Sequence, residues 1–168
     1  GKVCIGDKLI HSSTGNNLKI RAIHSQNKER KIAHAGQRCS LNIASHNISL
    51  NDISRGDWIL EKQIHMPTNR LDALVNILKK EERKFKHWTP IHLYIGSGKV
   101  TCHVAILRNS YIKPGGNEFV QLVVDKPIYA LFGDHFVIRD ISSRRTIGGG
   151  IILDPFAKKV NTFKARQL

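Results

Sequence analysis

The sequence has few acidic residues and no long apolar run, and these two shortages limit the partners that it can have. Asp and Glu total 13 against 27 Lys and Arg, which gives a formal net charge of +14 over 168 residues. A surplus of that size favours a polyanionic partner: RNA, DNA or an anionic membrane surface. A membrane is the weakest candidate, because no apolar run approaches the roughly 20 residues that a span requires. Residues 1–10 also lack the apolar core of a secretory signal.

Cysteine is scarce as well, and the three present are Cys4, Cys39 and Cys102. They form no CxxC pair and no even-numbered disulfide framework, so the sequence fits a reducing, cytoplasmic compartment. The nine histidines include no HExxH motif, and His92 and His103 have no cysteine or carboxylate nearby at ligand spacing. We therefore expect no metal site and no cofactor in this chain.

Catalytic and nucleotide-binding motifs are missing from the sequence. The triple glycine Gly148–Gly150 is followed by the strand pattern Ile151-Ile152-Leu153, whereas a phosphate-binding P-loop requires GxxxxGKS or GxxxxGKT ahead of a helix. Close backbone approach or a β-bulge explains the glycines better. No Ser-His-Asp order and no pair of carboxylates stands out, so we expect that the chain is not an enzyme.

Short segments of alternating apolar and polar residues, separated by turn residues, predict an all-β chain. Strands are predicted at 2–10, 18–24, 37–43, 91–95, 100–107, 119–124, 135–139 and 150–153. Such strands, recurring about every ten residues, are typical of a barrel or a sandwich. The pattern breaks at Pro67, so we predict one domain at 1–65 and a second at 66–168. The segment Leu71–Leu78 fits both helical and strand spacing, and both interpretations stay open.

Three segments resemble the second and third domains of translational GTPases. Residues 33–43, AHAGQRCSLNI, are similar to the AGQRxxLNI strand of the second domain, and residues 53–59, ISRGDWI, to the IxRGDxL strand that closes that barrel. Residues 136–150 resemble the last hairpin of the third domain, which in elongation factor Tu reads RFAIREGGRTVGAGVV. Within this superfamily the sequence is most similar to the selenocysteine-specific elongation factors (SelB), because of Arg38 and the longer segment RDISSRRTIGGGIILDP at 139–155.

This resemblance implies two consecutive Greek-key β-barrels of the domain 2 and domain 3 type, the first lacking its N-terminal hairpin ahead of Lys2. It implies a fragment of a cytoplasmic GTPase whose GTP and Mg²⁺ sites and C-terminal winged-helix domains lie elsewhere in the parent protein. The expected partners are those domains, the ribosome and selenocysteinyl-tRNA. The barrels would bind the aminoacyl end, acceptor arm and T arm of that tRNA for delivery to recoded UGA codons. The alternatives are the equivalent domains of an elongation factor Tu-like or initiation factor-like protein, and a structural linker without RNA contact.

Arg38 is the residue that the resemblance assigns to the aminoacyl pocket. A selenol is substantially ionised at cellular pH, whereas a free thiol has a pKa of about 8.5 and the hydroxyl of serine stays neutral. A guanidinium that is always protonated would therefore favour selenocysteinyl-tRNA over its seryl precursor. The alternative is an arginine that packs its stem on the barrel and keeps its charge in water.

The resemblance assigns contact with the T stem to the last hairpin of the second barrel. Phosphate contacts supply affinity and salt dependence without reading sequence, and A-form RNA favours such backbone recognition. The residues concerned are Arg139, Ser142, Ser143, Arg144 and Arg145, with Lys99 as a further candidate. The alternative for each charged residue is an ordinary solvated charge. Trp58 and Trp88 could stack on bases, but burial in a core or between domains is the more common role of tryptophan.

Overall fold

The computed structural model describes residues 1–142 and 144–160. Over these residues the chain consists of β-strands and two short 3₁₀ helices, Leu50–Asp52 and Lys62–Ile64. The all-β prediction is therefore confirmed. The chain divides into two compact units, Gly1–Met66 and a second that begins at Pro67. Within the described part of the chain, no helix is long and apolar enough to cross a membrane.

Every residue of the first unit is described, and the unit contains seven strands. They are β1 (Lys2–Cys4), β2 (Lys8–His11), β3 (Asn17–Ser25), β4 (Lys28–Arg30), β5 (Ile32–His34), β6 (Ser40–Ala44) and β7 (Ile59–Leu60). In β3, Leu18, Ile20 and Ile23 are buried, whereas Lys19 and Arg21 between them are exposed. The alternation is regular from Leu18 to Arg21, and a register shift between Ile20 and Ala22 then brings Ile23 back to the core side. One face of β3 therefore lies on the core and the other in solvent.

Strand β3 is the centre of the sheet in the first unit. It pairs antiparallel with β2 and β4 along one edge and with β6 along the other. Strand β2 pairs in turn with β7, which completes a five-stranded sheet, and β1 and β5 form a separate antiparallel pair. The small core beneath consists of Leu18, Ile20, Ile23 and Ala33.

A buried histidine ties the turn after β2 to the segment that leads into β7. His11 Nε2 lies 3.1 Å from Asp57 Oδ2, and His11 Nδ1 lies 3.0 Å from the Thr14 hydroxyl. Asp57 also accepts hydrogen bonds from the Ser54 backbone N–H, at 2.6 Å, and from the Ser13 hydroxyl. Burial alone would raise the pKa of Asp57, but these hydrogen bonds, together with the one from His11, outweigh it and hold the pKa below its ordinary value.

The described part of the second unit contains eight strands, six of which close into a barrel. They are β8 (Thr68–Ile77), β9 (Phe85–Lys86), β10 (Thr89–Ile95), β11 (Gly98–Ile106), β12 (Tyr111–Ile112), β13 (Asn117–Ile128), β14 (His135–Arg139) and β15 (Thr146–Asp154). The order around the barrel is β10–β11–β13–β8–β15–β14, and β14 pairs back to β10. All of these pairings are antiparallel. Strands β9 and β12 form a separate antiparallel pair.

The barrel interior is almost entirely aliphatic. In β8, Leu71, Ala73, Val75 and Ile77 are buried in strict alternation, so the strand interpretation of this segment is right and the helical one is wrong. Each fully buried aliphatic side chain stabilises the fold by about 1.5–3 kcal/mol. The charged segment 79–84 that follows is not helical.

Glycines in β15 allow neighbouring backbones to come unusually close. A Cβ atom on Gly150 would lie 2.1 Å from the carbonyl oxygen of Leu74, and one on Gly148 would lie 2.2 Å from that of Asn76. Real side chains do not tolerate such distances to backbone atoms. The close approach predicted for the triple glycine is therefore confirmed.

Candidate nucleic-acid interface

Two of the predicted RNA-contacting residues meet over one tyrosine on the outside of the barrel. Tyr94 in β10 is the cross-strand partner of Lys99 in β11, and His92 is the cross-strand partner of Arg139 in β14. Lys99 Nζ lies 5.9 Å, and Arg139 Cζ 5.8 Å, from the centroid of the Tyr94 ring. The electron-rich face of an aromatic ring attracts cations at such distances. The strand register therefore brings together two charges that are 40 positions apart in the sequence.

The surrounding surface is formed by the residues of β10, β11 and β14 that alternate with the core. We call it the outer barrel face, and it comprises His92, Tyr94, Lys99, His103, Val137 and Arg139. Two buried nitrogen atoms on this face, His92 Nδ1 and Arg139 Nε, have no hydrogen-bond partner among the described residues. Such atoms are normally paired in folded proteins. Because both atoms are buried, a partner would reach them only after the side chains moved. A carboxylate lies at its border, where Asp125 Oδ1 is 3.9 Å from His103 Nδ1.

The loop between β14 and β15 begins directly after Arg139 and is organised by Asp140. The Asp140 carboxylate accepts hydrogen bonds from the Ser142 hydroxyl at 2.6 Å and from the Arg145 backbone N–H at 3.1 Å. These bonds, with that of Ser142 the largest contribution, hold the pKa of Asp140 below its ordinary value. The hydroxyl proton of Ser142 is thus used inside the loop, which leaves its oxygen as an acceptor. Ser143, which the sequence also predicts to contact RNA, lies outside the described residues.

The two arginines of this loop have different surroundings. Arg145 Nη1 donates to Glu81 Oε2 at 2.8 Å, and the Glu81 side chain is only 7% exposed. Arg144 is exposed and forms no salt bridge within the described part of the chain. The charge of Arg145 is therefore partly neutralised by a buried carboxylate, whereas the charge of Arg144 is available to a partner.

Arg38 lies in the first unit, between a turn at Gly36 and the start of β6. Its side chain is exposed, its backbone carbonyl accepts from the Ser25 hydroxyl at 3.2 Å, and it has no salt bridge among the residues described. Since Ser40 pairs with His24, Arg38 sits at the C-terminal end of β3. The charge is free, as the prediction requires, but Arg38 does not line either of the two clefts described below.

A basic cleft lies at the opposite end of β3. It has a volume of about 990 Å³ and is lined by Lys8, Lys19, Arg21, His46 and apolar or neutral neighbours, with no carboxylate among its lining residues. A smaller cleft of about 310 Å³ shares Arg21 with it. Sequence reasoning missed these cations, although the exposed Lys19 and Arg21 that alternate with buried Leu18 and Ile20 were a usable signal.

The structure offers no obvious metal or thiol chemistry in its described part. No group of three or more His, Cys, Asp or Glu side chains there could hold a metal ion. Cys4, Cys39 and Cys102 are all free thiols. Burial raises the pKa of the Cys102 thiol to about 12, so this group stays protonated at neutral pH.

Comparison with known protein families shows to which family the chain belongs. The family described as "Selenocysteine-specific elongation factor, beta-barrel domain" matches residues 63–159, which is more than half of the chain. The chain belongs to the selenocysteine-specific elongation factor family. The resemblance that the three sequence motifs indicated is therefore confirmed.

Curated selenocysteine-specific elongation factors match nearly the whole chain. The protein of Escherichia coli is 32% identical over 157 residues, covering 92% of this chain and 24% of its own length. That of Haemophilus influenzae is 30% identical over 154 residues, with 92% and 24% covered, and that of Desulfomicrobium baculatum is 24% identical over 160 residues, with 95% and 25% covered. The chain thus spans about a quarter of the length of these relatives.

Solved structures support the fold. The apo structure of translation elongation factor SelB from Methanococcus maripaludis superposes with a TM-score of 0.78 at 19% identity, covering 92% of this chain and 37% of that one. The structure of sup35 complexed with GDP gives a TM-score of 0.80 at 15% identity, covering 94% of this chain and 42% of that one. The barrel fold predicted from the SelB resemblance is therefore confirmed.

Proposed function

We propose that this SelB-family chain binds the acceptor and T arms of selenocysteinyl-tRNA through the outer barrel face and the β14–β15 loop. The observation that carries the proposal is the meeting of Lys99 and Arg139 over Tyr94, immediately before the loop that presents Arg144. A cluster of fixed cations on the outside of a barrel complements the regularly spaced phosphates of an A-form duplex.

The geometry of this face suits contacts with the sugar-phosphate backbone. Arg139 is held at the end of β14 beside the Tyr94 ring, which limits the orientations of its guanidinium. A planar guanidinium can bind a phosphate through two hydrogen bonds. Contacts of this kind would position the RNA without reading its sequence.

For the aminoacyl end we propose Arg38 as the group that recognises the ionised selenol. Its side chain is exposed and its charge is not used in a salt bridge among the described residues. A permanent cation distinguishes an anionic selenolate from a neutral hydroxyl mainly through charge. Lys8, Lys19 and Arg21 in the basic cleft are further cations of the same unit, at the opposite end of β3 from Arg38, and would bind phosphates there.

The wider role follows from this proposal. Bound selenocysteinyl-tRNA would be delivered to the ribosome in the cytoplasm at recoded UGA codons. GTP and Mg²⁺ would act in the nucleotide-binding domain of the same factor, and winged-helix domains would serve as its further partners. The barrels themselves would contribute binding and no bond-breaking step.

Filter binding of selenocysteinyl-, cysteinyl- and seryl-tRNA to the intact factor tests the proposal. We expect the selenocysteinyl form to bind most tightly, and we expect Arg139→Ala to weaken all three. Equal and weak binding of every tRNA, unaffected by Arg139→Ala, would instead support a structural linker that makes no RNA contact.

A further inference from the structure

Trp88 is more exposed than the usual burial of tryptophan predicts, and its backbone conformation is uncommon. Instead of being buried, the residue is 49% exposed, and its φ angle is +62°. That left-handed conformation is common for glycine and asparagine but rare for a bulky aromatic residue. Residues that carry such backbone strain concentrate at functional sites.

Hydrogen bonds on both sides hold Trp88 in this conformation. Its own N–H donates to the carbonyl of Val104 at 2.7 Å, and the N–H of His87 donates to that of Ser110 at 3.0 Å. The imidazole Nδ1 of His87 accepts from the N–H of Ile106 at 3.1 Å. The backbone at Trp88 is thus fixed by neighbouring parts of the barrel, and the indole is presented to solvent on a rigid support.

The exposed indole extends the outer barrel face. It stacks on His103 with ring centroids 5.2 Å apart and an interplanar angle of 21°. His103 is the cross-strand partner of Pro90, and β10 continues from there through His92 to Tyr94. The start of β10 therefore lies beside the stacked rings of Trp88 and His103. Tyr94, with Lys99 and Arg139 near its ring, lies near the end of the same strand.

We propose that Trp88 and His103 form a stacking platform for one unpaired nucleobase of the bound RNA. This inference rests on the proposed function, because Lys99 and Arg139 would hold the phosphates of the same RNA. Aromatic side chains stack on the faces of all four bases, so such a platform needs no particular sequence. The bases of a continuous A-form duplex expose only their edges, so the platform requires a bulge, a loop or a free end.

The intrinsic fluorescence of Trp88 can report this contact directly. The sequence contains two tryptophans, so Trp58→Phe leaves Trp88 as the single emitter. Three RNA hairpins with the same stem, each closed by the same linker that carries no bases, serve as probes: one with a single bulged adenosine, one with an abasic nucleotide at that position, and one with a stem that has no bulge. We expect the bulged adenosine to quench Trp88 strongly and the other two hairpins to quench it weakly.

Variants of Trp88 separate stacking from general RNA binding. Trp88→Asn removes the ring and suits the left-handed backbone, and Trp88→Phe keeps an aromatic face. We expect Trp88→Asn to weaken binding of the bulged hairpin by about five- to a hundred-fold, the range for one stacked base. Trp88→Phe should lose much less affinity for this hairpin. Phe132→Ala changes a residue that is 76% exposed elsewhere on the unit, and it should lose no affinity.

The outcomes distinguish this inference from the proposed function. If Trp88→Asn binds all three hairpins as tightly as the parent protein does, the stacking platform is wrong while RNA binding stands. The same conclusion follows if all three hairpins quench the fluorescence of Trp88 equally. If none of the hairpins binds, and Arg139→Ala leaves tRNA binding unchanged, the RNA-binding role of the face is wrong as well. Circular dichroism of each variant confirms that the barrel has folded.

Discussion

At the scale of the residue, Asp57 fixes two loops of the first unit with one carboxylate. It accepts hydrogen bonds from His11, Ser13 and the backbone of Ser54. In the neutral imidazole, Nε2 of His11 donates to the carboxylate, so Nδ1 accepts from the Thr14 hydroxyl. A charge that is used in this way makes the stability of the unit depend on pH.

The direction of that dependence follows from the lowered pKa of Asp57. The stabilisation of the fold by the Asp57 carboxylate is complete above the unfolded pKa of about 3.9. It is lost as the pH falls through the lower pKa of the folded state. We expect Asp57→Asn to be less stable at neutral pH and to lose less further stability between about pH 5 and pH 2 than the parent. Urea unfolding followed by Trp58 fluorescence, in a Trp88→Phe background, measures this.

The matched control is Glu29→Gln, which removes an exposed carboxylate from β4 of the same unit. It should leave both the stability at neutral pH and its acid dependence nearly unchanged. An Asp57→Asn variant that lost stability with acid as steeply as the parent would contradict the role given to this carboxylate.

Arg38 provides the second prediction at this scale. Arg38→Ala in the intact factor should reduce the preference for selenocysteinyl-tRNA over seryl-tRNA, because the alanine cannot attract a selenolate. A charge-assisted hydrogen bond is worth about 1.5–3 kcal/mol, so the ratio of the two affinities should fall roughly ten- to a hundred-fold. Filter binding of the two tRNAs measures the ratio. Arg55→Ala, at another exposed arginine of the same unit, should preserve it, and a preserved ratio in Arg38→Ala would remove the assignment.

The sequence named individual charged residues as candidates, but it did not show which residues surround them. Arg139 and Lys99 were candidates from the sequence, but Tyr94 was not, because only the strand register places it between them. Trp88 was expected to be buried, since burial is the usual fate of tryptophan, and its left-handed backbone leaves no trace in the local pattern. The basic cleft was missed because its cations come from β2, β3 and the segment after β6.

At the scale of the element, the close pairing of β15 with its neighbours depends on glycine at positions 148–150. Gly150→Ala would place a methyl group 2.1 Å from the Leu74 carbonyl oxygen and 2.7 Å from Phe136 Cζ. Strands β8 and β15 would have to separate, and overpacking of this kind costs typically 1–3 kcal/mol. We expect a lower thermal midpoint for the second unit, measured by the near-ultraviolet circular dichroism of its aromatic residues.

Gly116→Ala is the graded comparison for this experiment. Its added Cβ would lie 3.0 Å from the Lys113 carbonyl oxygen, which a small local shift can relieve. The loss of stability should therefore be clearly smaller than for Gly150→Ala. Equal losses would mean that the close approach in β15 has no special energetic importance.

Strand β8 illustrates why some elements could not be assigned from local pattern. Its apolar residues satisfy helical spacing and strand spacing together, so local sequence was ambiguous. The strand conformation is selected because β8 pairs with β13 on one side and with β15 on the other. A helix in this position could not form those backbone hydrogen bonds. The strands predicted at 91–95 and 135–139, in contrast, lie within β10 and coincide with β14, because glycine or charged turn residues bound them in the sequence.

At the scale of the whole molecule, the net charge of +14 should appear as salt-dependent RNA binding. Each phosphate contact that is lost reduces the slope of log affinity against log salt by about 0.7–0.9. We expect Arg144→Ala to lower the slope by about one such step. Arg145→Ala should lower it less, because Glu81 already balances part of that charge.

Titrations of the intact factor with tRNA at several salt concentrations measure these slopes. Arg30→Ala, in β4 of the first unit, removes one exposed positive charge to which the proposal assigns no RNA contact and should leave the slope unchanged. If Arg144→Ala and Arg30→Ala gave the same slope as the parent, Arg144 would not contact a phosphate.

The architecture of the whole chain was more predictable than its surfaces. Alternation and turn residues were sufficient for the all-β class, and the motifs at 33–43, 53–59 and 136–150 were sufficient for the family. Both depend on information that is local in the sequence. The outer barrel face depends on contacts between β10, β11 and β14, and these exist only once the barrel has closed.

Closure of the barrel has a further consequence for a protein that carries so much charge. Each of its six strands has a hydrogen-bonded neighbour on both sides, so it offers no edge on which another polypeptide could add a strand. If a polyanion gathered many copies and neutralised their mutual repulsion, these six strands would offer no site for intermolecular β-pairing, although the separate β9–β12 pair of the same unit lies outside the ring. The ring of strands that carries Lys99 and Arg139 therefore adds no pairing edge of its own, whereas the five-stranded sheet of the first unit is open.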